Sequence, residues 1–419
     1  MRALYSLLWR CAAPWLPLRL WWRGRKEPGY RTRIRERYGF YRDAPQHGVI
    51  WLHAVSAGET RAAAPLIKRL LAERPHSRVL LTAMTASGDE AARALYGDRV
   101  IRAWLPYDLP AAVARFVAHF SPRAGIVMET EVWPNLMREC ARHDVPVYLV
   151  NARLSARSAA GYAKLGALTH DAFAAFAGVA AQTADDAARL AQAGAHDVQV
   201  FGNLKFDIEM QPAQRTLAAT LRARFGSRPV FVAASTRDGE EALIVDALRA
   251  SPLPGNALTV IVPRHPQRFD DVGSMLAARE CAFVRRSDAR DVPADVAFVL
   301  GDSMGEMSAY YSAADVAFVG GSLLPFGGQN LIEPIAQGVP TLVGEYTLNF
   351  AEAARGAVAA GAALRVADAA DLVAQVRRLL GDDAGRATMH AHALAFHAAH
   401  RGAIDRLWQW LAPKIGDAP

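Results

Sequence analysis

Short apolar runs, most of them followed by a longer amphipathic stretch, recur along this chain in two consecutive series. The first series is Val49–His53, Val79–Ala83, Ile126–Met128, Val147–Val150, Val179–Ala181 and Val198–Phe201. The second is Val230–Ala234, Leu258–Val262, Phe283–Arg285, Val296–Leu300, Val316–Gly320 and Thr341–Val343. Runs too short to be helices, separated by helix-length segments, predict parallel strands joined by crossover helices. A chain of 419 residues exceeds what one hydrophobic core usually organises. The fold class that follows is α/β, with two doubly wound, Rossmann-like domains whose sheets face one another across a cleft. The boundaries fall at 46–207 for the first domain and 228–419 for the second. Between them lies the linker, 208–227: Ile208–Ser227 is polar and helix-forming and holds no strand. From His400 to Ala412, the residues Ile404, Leu407, Trp408, Trp410 and Leu411 predict a packing helix able to cross back to the first domain.

Residues 1–45 differ in kind. Within the first 40, ten basic residues (Arg2, Arg10, Arg19, Arg23, Arg25, Lys26, Arg31, Arg33, Arg35 and Arg37) stand against Glu27 and Glu36, a net of +8. The whole chain carries +7, so the remainder is almost neutral. Leu4, Tyr5, Leu7, Leu8, Trp9, Trp15, Leu16, Leu18, Leu20, Trp21 and Trp22 are interleaved with those charges, a mixture that suits the headgroup layer of an anionic membrane. The segment is therefore read as lying on a membrane surface or inserted shallowly. Arg10, Pro14, Pro17 and Arg19 interrupt it and no small-residue cleavage site follows, which argues against a secretory signal. No run reaches the ~18–20 apolar residues of a membrane span. The rest of the chain offers no basic, aromatic surface to continue a nucleic-acid arm, so no nucleic-acid partner is expected. Cys11, Cys140 and Cys281 are odd in number and far apart, fitting neither a disulfide framework nor a Cys-pair metal site; a reducing cytosolic setting follows.

Ligands of doubly wound sheets bind beyond the carboxyl ends of the strands. From Asp315 to Pro334 the chain reads DVAFVGGSLLPFGGQNLIEP: a strand, two glycine pairs and a helix expected to open near Asn330. Glycines let backbone approach a ligand, and a helix start favours an anion. Glu333, one turn in, can accept two neighbouring ribose hydroxyls, so a nucleotide pocket is one reading. Asn330 with Glu333 three residues on also fits a capping pair, which is the other. Arg264, between Pro263 and Pro266, can grip a phosphate with its planar fork, and His265 reads as a packed histidine. Near Met304, Gly305 and Glu306, amides at a helix start can read a base edge.

In the first half, HAVSAGET (His53–Thr60) aims Glu59 from a helix start, where the dipole is expected to keep it ionised and able to take a proton from an alcohol. First-turn glutamates are also common for that dipole reason alone. In METEVWPN (Met128–Asn135), Glu129 and Glu131 share a side if the segment is extended and diverge if it turns. Lys205 in GNLKFD (Gly202–Asp207) places a cation at the domain junction, although a solvated lysine is the commoner case. The chain lacks G-x-x-x-x-G-K-[ST], G-x-G-x-x-G after a strand, H-E-x-x-H and Asp-x-Asp, which weighs against P-loop phosphotransferases, dinucleotide oxidoreductases and Asp-x-Asp metal-dependent sugar transferases.

Taken together, HAVSAGE, ETEVWPN, NARLS (Asn151–Ser155), GNLKFD, PRHP, GDSMGEM and GGQNLIEP resemble the 3-deoxy-D-manno-octulosonic acid (Kdo) transferases of Gram-negative lipopolysaccharide assembly, in order, from about Tyr30 to at least Phe350. Ala57, Ser303 and Gln329 depart from the commonest family residues and leave the charged positions intact. The resemblance implies a GT-B glycosyltransferase fold and inverting transfer of Kdo from CMP-Kdo to a lipid A precursor (lipid IVA). It implies Glu59 as general base and Glu129 and Lys205 as transition-state stabilisers. It implies a cytidine nucleotide site at Pro263, Arg264, Met304, Gly305, Glu306, Asn330, Leu331, Ile332 and Glu333. No cofactor or metal is expected, and the implied location is the cytoplasmic face of the inner membrane, peripheral or anchored by the amino terminus. Two alternatives share the architecture: a nucleotide-sugar epimerase, and a membrane-tethered nucleotide-binding module without enzymatic activity.

Overall fold

The computed structural model describes residues 1–25 and 27–416; Lys26, counted above among the basic residues, lies outside the described residues. Contacts divide the chain into two compact units, Met1–Ile208 together with the described residues from Arg401 onward, and Glu209–His400.

The first unit carries strands β1 (Ile50–His53), β2 (Val79–Ala83), β3 (Ile101–Trp104), β4 (Ala124–Met128), β5 (Val147–Ala152), β6 (Gly178–Ala181) and β7 (Val198–Val200). All pair in parallel, in the order β3-β2-β1-β4-β5-β6-β7. Parallel sheets need cover on both faces, which is why these strands are apolar without alternation. Successive residues feed opposite core layers. Leu52, Ile126 and Val150 pack with Leu66, Ile67, Leu407 and Trp408, while Trp51, Val127 and Leu149 pack with Phe116, Met137 and Phe173.

The second unit repeats the plan with β8 (Val230–Thr236), β9 (Leu258–Pro263), β10 (Phe283–Arg285), β11 (Phe298–Leu300), β12 (Val316–Val319), β13 (Thr341–Val343) and β14 (Ala363–Arg365). The order is β10-β11-β9-β8-β12-β13-β14, again all parallel. Each sheet reverses direction beside its first strand, between β1 and β4 and between β8 and β12. Loops leaving those strands diverge there and open a crevice.

Two strands were not expected, β3 and β14, and both lie at sheet edges. The run begun at Val296 becomes strand only from Phe298, and the run to Phe201 ends at Val200. Within 208–227, helix Pro212–Phe225 buries Ala218, Leu221 and Phe225 against Val230 and Val232 of the second unit. Helix Ala403–Leu411 packs in the first unit. There the Trp408 indole donates to Glu73 (2.7 Å), and the Asp207 carboxylate accepts from the amides of Gly402 (2.6 Å) and Ile404 (2.7 Å).

The amino terminus forms helices α1 (Arg2–Ala12) and α2 (Leu16–Arg23). One side is tied down: Tyr5 donates to Asp108 (2.9 Å), Ser6 to Asn135 (3.0 Å), Trp9 stacks on Tyr107, and Leu16 and Leu20 are buried with Tyr30. Leu4, Leu7, Leu8, Trp15, Leu18 and Trp22 are exposed. Among the described residues, no helix is long and apolar enough to cross a membrane.

Candidate functional site

At the reversal point of the first sheet, β1 runs into Val55 and Ser56 and then helix α3 (Ala57–Ala62). Ser56 caps this helix by accepting from the Glu59 amide (3.4 Å), and its hydroxyl donates to one Glu59 carboxylate oxygen (3.1 Å). The Val55 amide donates to the other oxygen (2.9 Å). Glu59 is thus a first-turn glutamate whose carboxylate is held in one orientation by Ser56 and the Val55 amide. The expectation that it stays fully ionised is corrected. Burial first, and the Glu129 charge second, push its pKa up to about 7, outweighing the Val55 N–H that favours the anion.

Across the reversal, the chain turns as it leaves β4, with Glu129 in the left-handed region (φ 60°). That turn settles the open question about its two carboxylates: they diverge. Glu131 accepts from the Trp133 indole (3.0 Å) and is raised by burial. Glu129 receives Lys205 Nζ (2.9 Å) on one oxygen and Arg153 Nε (3.4 Å) on the other. Lys205 stands on the single turn Leu204–Asp207 after β7, capped by Asn203, whose side chain accepts from its amide (3.0 Å). Glu59, Glu129 and Lys205, far apart in the chain, are thus gathered at one crevice. Arg153 lies inside the NARLS string but carries no role legible in the sequence, because its pairing with Glu129 depends on the turn after β4.

In the second unit, β8 carries a bulge at Ser235 (φ 54°), next to the reversal point. The loop after β12 passes so close that a Cβ on Gly320 would lie 2.6 Å from Thr236 Cα, so only glycine fits. Arg264, after Pro263 at the end of β9, donates through its amide to the Thr236 carbonyl (3.0 Å) and through Nε to Gln329 (3.2 Å). Burial, then the charges of Arg237, Arg264 and Arg268, lower the pKa of His265, so cations cluster at these strand ends.

The glycine loop differs from expectation. The amides of Gly321 and Leu323 donate to the carboxylate of Glu240 (2.6 and 2.9 Å), a buried anion of the protein itself, which also accepts from the Arg237 amide (2.8 Å). Those of Gly328 and Gln329 donate to Gly321 and Gly320 carbonyls. The helix begins at Ile332, two residues later than expected, and Asn330 accepts from the Ile332 amide (3.2 Å). Leu331 and Ile332 are buried. Glu333 accepts from Ser308 (2.6 Å), and Glu306 is held by Arg286 (3.1 Å) and Ser303 (2.7 Å). Met304 is half exposed, and Gly305 takes φ 78°. The nominated residues therefore sit at the end of β9, on the loop after β11, and at the start of the helix that follows β12. Among the described residues, no cluster of three or more His, Cys, Asp or Glu side chains is placed to hold a metal ion.

Two parallel seven-stranded sheets with these strand-end loops define a GT-B protein. The solved structure of UDP-GlcNAc 2-epimerase from Neisseria meningitidis matches the fold over 87% of this chain and 100% of its own, with a TM-score of 0.59 at 14% identity. Residues 32–208 match the family described as 3-deoxy-D-manno-octulosonic-acid transferase (kdotransferase). The 3-deoxy-D-manno-octulosonic acid transferase of Bordetella pertussis is 44% identical over 98% of this chain and 99% of its own length. That of Haemophilus influenzae is 38% identical over 93% of each. The chain belongs to the Kdo transferase family, a family of glycosyltransferases, and the epimerase and binding-module alternatives fall away.

Proposed function

We propose that this protein moves Kdo from CMP-Kdo to a lipid A precursor (lipid IVA) in lipopolysaccharide core assembly, with inversion at the anomeric carbon. The observation that carries this reading is the pairing of Glu59, at a pKa of about 7, with the charge-compensated Glu129 and Lys205. A base works best when its pKa lies near the working pH. Glu59 takes the proton of an acceptor sugar hydroxyl, whose oxygen attacks the anomeric carbon as the bond to CMP breaks. Arg264 and the loops carrying Met304–Glu306 and Asn330–Glu333 hold the nucleotide, and the guanidinium meets the charge left on the departing phosphate. Lys205 and Glu129 stabilise the transition state as a fixed pair of opposite charges. The exposed leucines and tryptophans of α1 and α2 support peripheral attachment at the cytoplasmic face of the inner membrane, where such an acceptor is met.

Incubation with CMP-Kdo and a tetraacylated lipid A precursor, with the lipid weighed by mass spectrometry, tests the reaction. Glu59→Ala is expected to lose roughly 10²–10⁴-fold in turnover while CMP binding persists. Near-normal turnover in that variant would remove Glu59 from the role. Transfer is expected to continue undiminished in excess EDTA, and strict dependence on added Mg²⁺ would contradict charge stabilisation by side chains alone.

A further inference from the structure

NARLS is the one motif left without a part in the proposed chemistry, and its first residue is held in an unusual way. Between β5 and β6 the register runs Leu149↔Val179 and then Ala152↔Ala181, so Val150 and Asn151 together oppose Ala180 in a β-bulge. Asn151 takes φ 52° there, is 2% exposed, and leaves its Nδ2 without a hydrogen-bond partner. A left-handed residue and a buried unpaired amide both disfavour the fold. The Asn151 carbonyl accepts from Gln182 Nε2 (2.9 Å), and the side chain makes the contact that bears on the site: its Oδ1 accepts from the Leu204 amide (3.0 Å), immediately before Lys205. Bulges at a sheet rim re-aim side chains, and this one turns Asn151 across β6 toward the turn that carries the lysine. Two residues further on, Arg153 pairs with Glu129, and its carbonyl accepts from Thr130.

We propose that Asn151 is a positioning residue for the transfer reaction, fixing the Leu204–Lys205 step so that the lysine meets the Glu129 carboxylate. This rests on the role proposed above for Glu59, Glu129 and Lys205. The charged groups around Glu129 are Lys205, Arg153, Glu59 and Glu131. Loss of the lysine contact leaves more negative charge beside Glu59 and raises its pKa further.

The test uses the full chain. Asn151→Gly keeps the left-handed backbone without steric penalty and deletes the side chain. It is expected to lower kcat about 10- to 100-fold, to leave the KM for CMP-Kdo within about twofold, and to move the acid limb of the kcat/KM profile to higher pH. Asn151→Asp retains the acceptor for Leu204 and restores most of kcat; Asn151→Ser, too short to reach, should behave as the glycine variant and serves if that one unfolds. In a Lys205→Ala background, Asn151→Gly should add little. Wild-type turnover with an unmoved limb in Asn151→Gly, or a full multiplicative loss on top of Lys205→Ala, overturns the assignment. Wild-type turnover in Lys205→Ala alone would instead overturn the role of the lysine, so the two failures are told apart.

Discussion

Glu59 illustrates how opposing terms decide a protonation state. A helix start and the Val55 amide favour the anion, yet burial and the Glu129 charge prevail. Two consequences follow with their signs. The ionised form is the base, so kcat/KM should rise with pH through an apparent pKa of about 7. The same proton stabilises the fold: a carboxyl raised above its unfolded value contributes stability at low pH, and that contribution disappears as pH climbs from about 4.5 to about 7. Urea unfolding at pH 5 and pH 8 should therefore show the native protein losing more stability than Glu59→Gln, while other buried carboxyls cancel between the two. Equal losses would mean that Glu59 titrates normally. Sequence patterns located this residue and its partners, because they occupy strand ends. They did not reveal that Glu129 and Glu131 part company, since that depends on a left-handed turn that a glutamate rarely adopts. Nor did they reveal Glu240, which looks like any first-turn glutamate until its carboxylate is found under the glycine loop.

At the level of elements, the two strands that escaped notice both lie at sheet edges. β3 reads IRAW and β14 reads ALR; each pairs on one side only, so each can be short and carry an arginine. Central strands, covered on both faces, announced themselves as unbroken apolar runs. Helices α1 and α2 were legible as an aromatic, basic segment, but which residues turn inward was not. Tyr5, Trp9, Leu16 and Leu20 anchor the segment, which leaves Leu4, Leu7, Leu8 and Trp15 outward. Replacing Leu7 and Leu8 by Asp should abolish co-sedimentation with anionic phospholipid vesicles and leave CMP affinity unchanged in detergent. Retained vesicle binding would shift the attachment to another surface.

For the molecule as a whole, the division into units does not follow the order of the chain. Residues after Arg401 complete the core of the first unit, with Leu407, Trp408 and Leu411 packed on Leu66, Ile67 and Leu70. Trp408→Ala should cost about 3–5 kcal/mol, in line with removal of a buried aromatic. Hydrogen exchange locates the effect: amides of β1 and β4 should lose protection, and those of β8 and β12 should keep theirs. Uniform loss across both sheets would mean that the units unfold as one. The return of the last helix also sets a timetable. A ribosome releases the first unit's strands early but its closing layer only after residues 209–400 have emerged as an uninterrupted block. The later half can thus mature while the earlier one waits, with bare apolar surface for chaperones to shelter, and a premature stop near codon 400 would spoil the lobe encoded furthest from it.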